Sequence, residues 1–233
     1  MEKVFIDKEE ISDALIERPA CFSIKKKHYS VFPPTLGKMQ LIARLVETIG
    51  LDENTTYKSA YEAAHSHRDE CLRLVAYSTL PGAECLDENR VQERIEELKI
   101  ADEAELSSLV ILVLSFDKTD KIKRHFGMDK EAKRLSKVAK VKEKSTKGSV
   151  SFGGVSIWGS LLDAACERYG WSYQYVLWGI SYTNLQLLLA DQVRTVYLTD
   201  EELKNAHIST DNVYINAKDA GALEDFIITQ SWR

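Results

Sequence analysis

Apolar residues recur at three- and four-residue spacing along most of this chain, the period of a helix packed on one face. Leu36, Met39, Ile42, Leu45, Val46 and Ile49 form one stripe, with Thr35 placed to cap its start and Gly50 to close it. A longer stripe runs from about residue 56 to 79 through Tyr57, Tyr61, Ala64, Cys71, Leu74 and Val75, and stops at Pro81-Gly82. Val91, Ile95 and Leu98 behind Asp87 predict a further helix. Leu106, Leu109, Val110, Val113 and Leu114 behind Asp102 predict another. Near the start, Asp7 and Glu10 have capping-box spacing with Ile6 and Ile11 as a staple, so a short helix is expected up to about residue 17, before Pro19.

The period drops to two between residues 21 and 32. Phe22 and Ile24 then face one way, as do Tyr29 and Val31, around a lysine-rich turn. Pro33-Pro34 ends the second strand. Short amphipathic helices with short connections make a bundle, so the expected class is mainly α, a helical bundle with one small β-hairpin near the N-terminus and a C-terminal helical unit.

That C-terminal unit begins near Gly153-Gly154 and holds Trp158, Trp171 and Trp178, three of the four tryptophans. It also holds Tyr169, Tyr173, Tyr175, Tyr182 and Tyr197. Val155, Trp158, Leu161, Leu162, Ala165 and Tyr169 predict a helix closed by Gly170. Ser172 is placed to cap the next, with Tyr173, Val176, Leu177 and Ile180 on its inner side. Tyr175, Trp178 and Tyr182 then form a continuous outer stripe. Thr183 and Gln186 have box spacing, so a third helix is expected from about Asn184, carrying Leu185, Leu188, Leu189, Gln192 and Val196. Thr199 and Glu202 repeat the box for a last short helix, with Leu198 and Leu203 spaced as a staple.

Charge divides the chain further. Net charge is −5, yet residues 118–147 hold twelve Lys and Arg against four Asp and Glu. Lys130 to Lys144 are compatible with a basic helix that has Leu135, Val138 and Val141 on a narrow apolar stripe, and Ser145-Thr-Lys-Gly-Ser is linker-like, so a largely exposed, partly mobile connector is expected. The expected divisions are 1–117, hairpin plus helical domain; 118–150, basic connector; 151–205, aromatic-rich helical unit; and 206–233, a weakly patterned tail in which Val213-Tyr-Ile is compatible with a strand.

The 233 residues contain no apolar run near the roughly 20 needed to cross a bilayer. The opening residues are acidic and short of apolar content, so no signal peptide is expected. Cys21, Cys71, Cys85 and Cys166 form no Cys-x-x-Cys pair, which suits buried thiols in a reducing cytoplasm. His65 and His67 are two apart and point to different sides of a helix. His67 and Cys71 are correctly spaced, but two ligands do not make a site, so no metal and no cofactor is expected. No Gly-rich phosphate loop, nucleophile elbow or His-Glu-x-x-His occurs, and the carboxylates fall on polar helix faces, so no catalytic residue is expected.

Tightly joined helices around residues 172–197 raise a helix-turn-helix reading, but from 171 to 198 the only charged residues are Asp191 and Arg194. A recognition helix needs several phosphate contacts. Nucleic-acid binding would fall instead to Lys137, Lys140, Lys142 and Lys144.

Two stretches resemble a known family. Phe22-Ser-Ile-Lys-Lys-Lys-His-Tyr-Ser-Val-Phe-Pro-Pro-Thr-Leu-Gly is similar to the hairpin-then-helix opening of phage tail assembly chaperones. Tyr169-Gly-Trp-Ser-Tyr-Gln-Tyr-Val-Leu-Trp-Gly-Ile-Ser-Tyr-Thr-Asn-Leu-Gln-Leu-Leu-Leu-Ala-Asp resembles a segment of tail-module proteins of phages and prophages of gut bacteria. The basic stretch is not part of that pattern. The resemblance implies a mainly helical, non-catalytic protein of the bacterial host cytoplasm that coats apolar helices of the tape measure protein until tail tube subunits replace them. The tape measure protein is the expected partner, with the tail tube protein and self-association as further ones, and no membrane. Aromatic density in a charge-poor stretch makes Trp171, Tyr175, Trp178 and Tyr182 the candidate anchors. A structural tail or connector protein, and a nucleic-acid-binding accessory protein using the lysines above, are the alternative classes.

Overall fold

A computed structural model describes residues 8–52, 54–145, 155–191 and 195–208. In chain order these form α1 (Lys8–Leu15), β1 (Ala20–Ile24), β2 (Lys27–Val31), α2 (Leu36–Ile49), α3 (Tyr57–Ser66), α4 (Arg68–Thr79), a 3-10 turn (Gly82–Leu86), α5 (Glu88–Leu98) and α6 (Glu103–Leu114). There follow α7 (Thr119–His125), α8 (Met128–Ser145), α9 (Ile157–Tyr169), α10 (Tyr173–Trp178), α11 (Tyr182–Ala190) and α12 (Asp200–Ala206). The protein is thus mainly α with a single two-stranded hairpin among the described residues.

Local chemistry sets most helix ends. The Thr35 side chain accepts from the Lys38 amide to start α2, and Gly50 closes it in the left-handed region at φ 76°. Asp102 with Glu105, and Thr199 with Glu202, form reciprocal capping boxes for α6 and α12. In the hairpin Phe22 pairs with Tyr29 and their rings stack at 5.2 Å. A two-residue turn at Lys25-Lys26 joins the strands, with Lys25 at φ 52°.

The main core is built around α4, which contacts α2, α3, α5, α6 and β2. Leu72, Leu74, Val75 and Ala76 point to different sides of α4, yet all are fully buried, as expected of a central helix. Each such Leu or Val contributes roughly 1.5–3 kcal/mol by leaving water. Phe32 donates its amide to the Ser78 carbonyl at 2.9 Å, which ties the hairpin's exit to the end of α4.

Four expectations change. The helix expected from 56 to 79 breaks at His67 (φ −130°, ψ 46°) into α3 and α4. Both parts pack on α6, α3 mainly so, and α4 packs on α2 and α5 as well. Secondly, α11 is capped by Ser181 rather than Thr183, whose hydroxyl meets the Thr119 hydroxyl at 2.9 Å.

Thirdly, the stretch from 118 is more buried at its start than expected. It forms α7, where Ile122 is 0% exposed and packed with Ile11 and Leu187, and then α8, the basic helix that the spacing allowed, on which Lys133, Lys137 and Lys140 are exposed. Fourthly, the compact units do not follow the expected divisions. One comprises residues 1–132 and 150–193, the other 133–149 and 194–233. Inside the first, the aromatic segment is tied to the N-terminal part. Tyr182 donates its amide to the Pro34 carbonyl at 2.8 Å, and Ser181 bridges Thr35. Ser181 also donates its amide to Glu17 at 2.9 Å, and Asn184 donates to the Leu15 carbonyl at 3.0 Å. In the second unit, Lys142 of α8 donates to Glu202 at 2.9 Å, on the same carboxylate oxygen that accepts the Thr199 amide.

The caps at Asp7, the Gly153-Gly154 start, the boundary near Gly148, Gln192 and the strand at 213–215 lie outside the described residues.

Candidate functional site

The aromatic segment presents some rings and withdraws others. Ser172 caps α10, and Trp171 stacks on Tyr169 at 4.6 Å while meeting the Tyr175 ring edge-on at 5.2 Å. The Tyr169 hydroxyl donates to the Leu188 carbonyl at 2.9 Å, so this ring group is held against α11. Tyr175 is 44% exposed and Trp171 is half-buried. Trp158 of α9 is also well exposed, at 42%.

Trp178 and Tyr182 behave differently. A Cβ on Gly37 would stand 2.5–2.7 Å from three atoms of the Trp178 ring, so the indole lies directly on the backbone of α2. Trp178 packs against the main core. Tyr182 packs with the smaller cluster of Leu36, Ala165, Val176, Ile180 and Leu185. Burial pushes its phenol pKa up, with the Asp117 and Asp120 charges adding to the effect.

The expected outer stripe of Tyr175, Trp178 and Tyr182 is therefore not continuous. α10 stops at Trp178, and Ser181 starts a new helix, so the register does not carry from one to the other. Of the expected inner face, Val176 and Ile180 are buried and Leu177 is half-buried, but Tyr173 is 55% exposed.

A second apolar surface lies between α2 and α6. Met39, Ile42, Ala43 and Val46 face Val113, Leu114 and Phe116 across a cavity of about 230 Å³. A neighbouring cavity of about 240 Å³ shares Val46 and Leu114 and continues to Ile111. They adjoin at Val46 and Leu114, giving a trough whose second part is also lined by the polar Asp52, Thr55 and Ser115. α6 reads Ser-Ser-Leu-Val-Ile-Leu-Val-Leu over its last two turns, so it is apolar around its circumference. Such a helix is ordinarily covered on all sides. Here Leu106, Leu109, Val110 and Val113 are buried, whereas Ile111, Leu112 and Leu114 stay half-buried. The unbroken apolar run from Leu109 to Leu114 is the sequence signal for this surface; a one-face reading of the helix passes over Ile111 and Leu112.

Lys38, also on the trough wall, is 1% exposed and donates to the Leu80 carbonyl at the end of α4. A cation there complements the helix dipole. Burial nevertheless pushes its pKa down to about 8, with Cys85 and Glu84 acting the other way.

The remaining titratable groups are placed as follows. His65 pairs through Nδ1 with Glu103 at 3.0 Å, and the Tyr61 hydroxyl donates to the same carboxylate at 3.2 Å, linking α3 to α6 at the surface. These bonds hold the Glu103 pKa below the ordinary carboxylate value. His67 sits at the break between α3 and α4, away from that pair in role. Not all four thiols are buried: Cys71 and Cys85 are, but Cys21 is exposed and Cys166 half-buried. Burial pushes the Cys71 thiol up to about 11, the reverse of what a reactive thiolate needs. No group of three or more His, Cys, Asp or Glu is placed to hold a metal among the described residues.

Of the candidate nucleic-acid lysines, Lys137 and Lys140 are exposed on α8, and Lys144 falls in its last turn. Lys142 is on another side of the helix, paired with Glu202. No described helix is long and apolar enough to cross a membrane.

The fold defines a mainly α protein with a hairpin and two apolar surfaces. No family model matches the chain, and neither a curated protein nor a solved structure does.

Proposed function

We propose that this protein is a non-catalytic tail assembly chaperone that binds apolar helices of a tape measure protein. The reading joins the resemblance of the two stretches to one structural observation, the trough between α2 and α6. Helix-in-groove recognition needs an apolar channel between two helices that receives side chains at i, i+3, i+4 and i+7. Met39, Ile42, Val46, Ile111 and Leu114 supply such walls. On this reading the trough is the principal docking surface. Tyr175, the anchor that keeps an exposed ring, is secondary, and Trp171 is half-buried against the same small cluster as Tyr182. Trp178 and Tyr182 serve the fold that carries them.

The test uses the full chain co-expressed with a helical segment of the tape measure protein encoded alongside it. Val46→Lys and Leu114→Lys charge the trough, while their long stems keep apolar contact with its walls. Loss of a central interface residue typically costs about 2 kcal/mol or more, so each variant should bind roughly 30-fold more weakly. The thermal midpoint should move by only a few degrees. Undiminished binding by both variants would remove the trough from the function. Failure of the segment to bind the unaltered protein at micromolar concentration would remove the chaperone reading itself.

A further inference from the structure

Residues 118–147 carry a strong positive excess in an acidic chain, and their helical placement gives that excess a direction. Lys133, Lys137 and Lys140 of α8 are all exposed. They are four and three residues apart, which puts them on one face of the helix. The other side of the same stretch is already in use. Leu135, Val138 and Val141 are half-buried, and Lys142 is committed to the buried Glu202 carboxylate.

We propose that Lys133, Lys137 and Lys140 form a docking face for a nucleic-acid backbone. Charge complementarity selects a polyanion, and spacing suits a linear one. The three lysines span about 10 Å of helix axis, against about 3.4 Å of axis per phosphate on a DNA strand. An anionic membrane is the less suitable occupant. A helix lying in a membrane needs a broad free apolar face, and here the apolar stripe is narrow and half-buried. This face shares no residue with the α2–α6 trough, and the inference does not depend on what the trough binds.

The test is titration of the full-length protein with a fluorescent 20-base-pair DNA duplex across a salt series. Three phosphate contacts contribute about −2.7 to the slope of log K against log salt, equivalent to a roughly 40-fold loss of affinity between 50 and 200 mM. The triple variant Lys133→Gln, Lys137→Gln, Lys140→Gln should reduce the slope by that amount. Gln keeps helix propensity, so circular dichroism should be unchanged. Lys142→Gln, on the other side of α8, should leave the slope as it is. The proposal is overturned if the unaltered protein does not bind duplex at 50 mM salt. It is equally overturned if the triple variant keeps the full slope, or if vesicles of phosphatidylserine and phosphatidylcholine bind where the duplex does not.

Discussion

Substituting Gly37 by Ala tests whether the Trp178 indole belongs to the fold or to a docking face. Gly37 is the second residue of α2, and the added methyl would meet three ring atoms at 2.5–2.7 Å. A rigid indole cannot yield at its tip as a flexible side chain does. Either the ring or α2 must move, and overpacking of this kind typically costs about 1–3 kcal/mol. In a chain of 233 residues that lowers the thermal midpoint by about 2–4 °C for each kcal/mol. The sign should reverse once the ring is gone. In a Trp178→Ala background the methyl has room, and Ala is favoured over Gly in a helix by up to about 1 kcal/mol. Gly37→Ala should then be neutral or stabilising, which gives a coupling of roughly 1–4 kcal/mol between the two positions. Trp178→Ala alone should be clearly destabilising, toward about 3 kcal/mol for a half-buried indole. Denaturant midpoints followed by circular dichroism at 222 nm on the four proteins complete the cycle. Equal effects of Gly37→Ala in both backgrounds would mean the indole does not lie on α2. Trp178 would then return as a candidate docking anchor.

Two further outcomes follow from buried groups. Lys38 has a folded pKa of about 8 against an ordinary 10.5, so between those values the unfolded chain binds the extra proton. The penalty of burying the ammonium is complete below pH 8 and is relieved as pH rises toward 10.5, by up to ~3 kcal/mol. The raised Cys71 thiol works in the opposite direction over part of that range, so the measurement is a difference. Relative to Lys38→Met, the unaltered protein should gain urea stability from pH 7.5 to 10.5, and parallel pH profiles would refute the buried ammonium. Ile122→Ala should cost about 2–5 kcal/mol, because Ile122 is fully enclosed beside Ile11 and Leu187. A shift of the denaturation midpoint within error would restore the exposed-connector reading of α7.

What could be read in the sequence was local. The hairpin follows from period two and a lysine-rich turn, although its register, with Phe22 opposite Tyr29, rests on a two-residue turn where three lysines were expected, and the caps at Thr35, Asp102, Ser172 and Thr199 follow from residue type and spacing. The break at His67 did not show, because the apolar spacing of α3 and α4 continues through it; what distinguishes α4 is its added packing on α2 and α5, which lie elsewhere in the chain. Ile122 was obscured by the lysines around it. Its burial depends on Ile11 and Leu187, far away in the chain. The aromatic stripe misled for a related reason. A spacing of three and four implies one face only while one helix lasts, and Gly179-Ile180-Ser181 separates Trp178 from Tyr182. Ring density marked the segment but could not say which rings turn inward. The trough was visible only as an excess of apolar residues in α6, since its other wall comes from α2.

The two apolar surfaces are related through α2. Gly37 lies about half a turn round the helix from Met39, Ile42 and Val46, so Trp178 covers one side of α2 while the trough opens on the other. The aromatic segment therefore braces the helix that forms one wall of the trough, through the indole on Gly37 and the backbone bridge at Thr35 and Ser181. This arrangement separates two properties that the sequence joins. The densest aromatic stretch holds α2 in place, and the less conspicuous aliphatic residues of α2 and α6 are left half-buried. Truncating Trp178 removes a brace, so any loss of partner binding should come with loss of stability. Charging Val46 or Leu114 changes the open side and leaves the brace intact, so binding should fall while stability holds. A protein that used its indole as the anchor would give the opposite pairing.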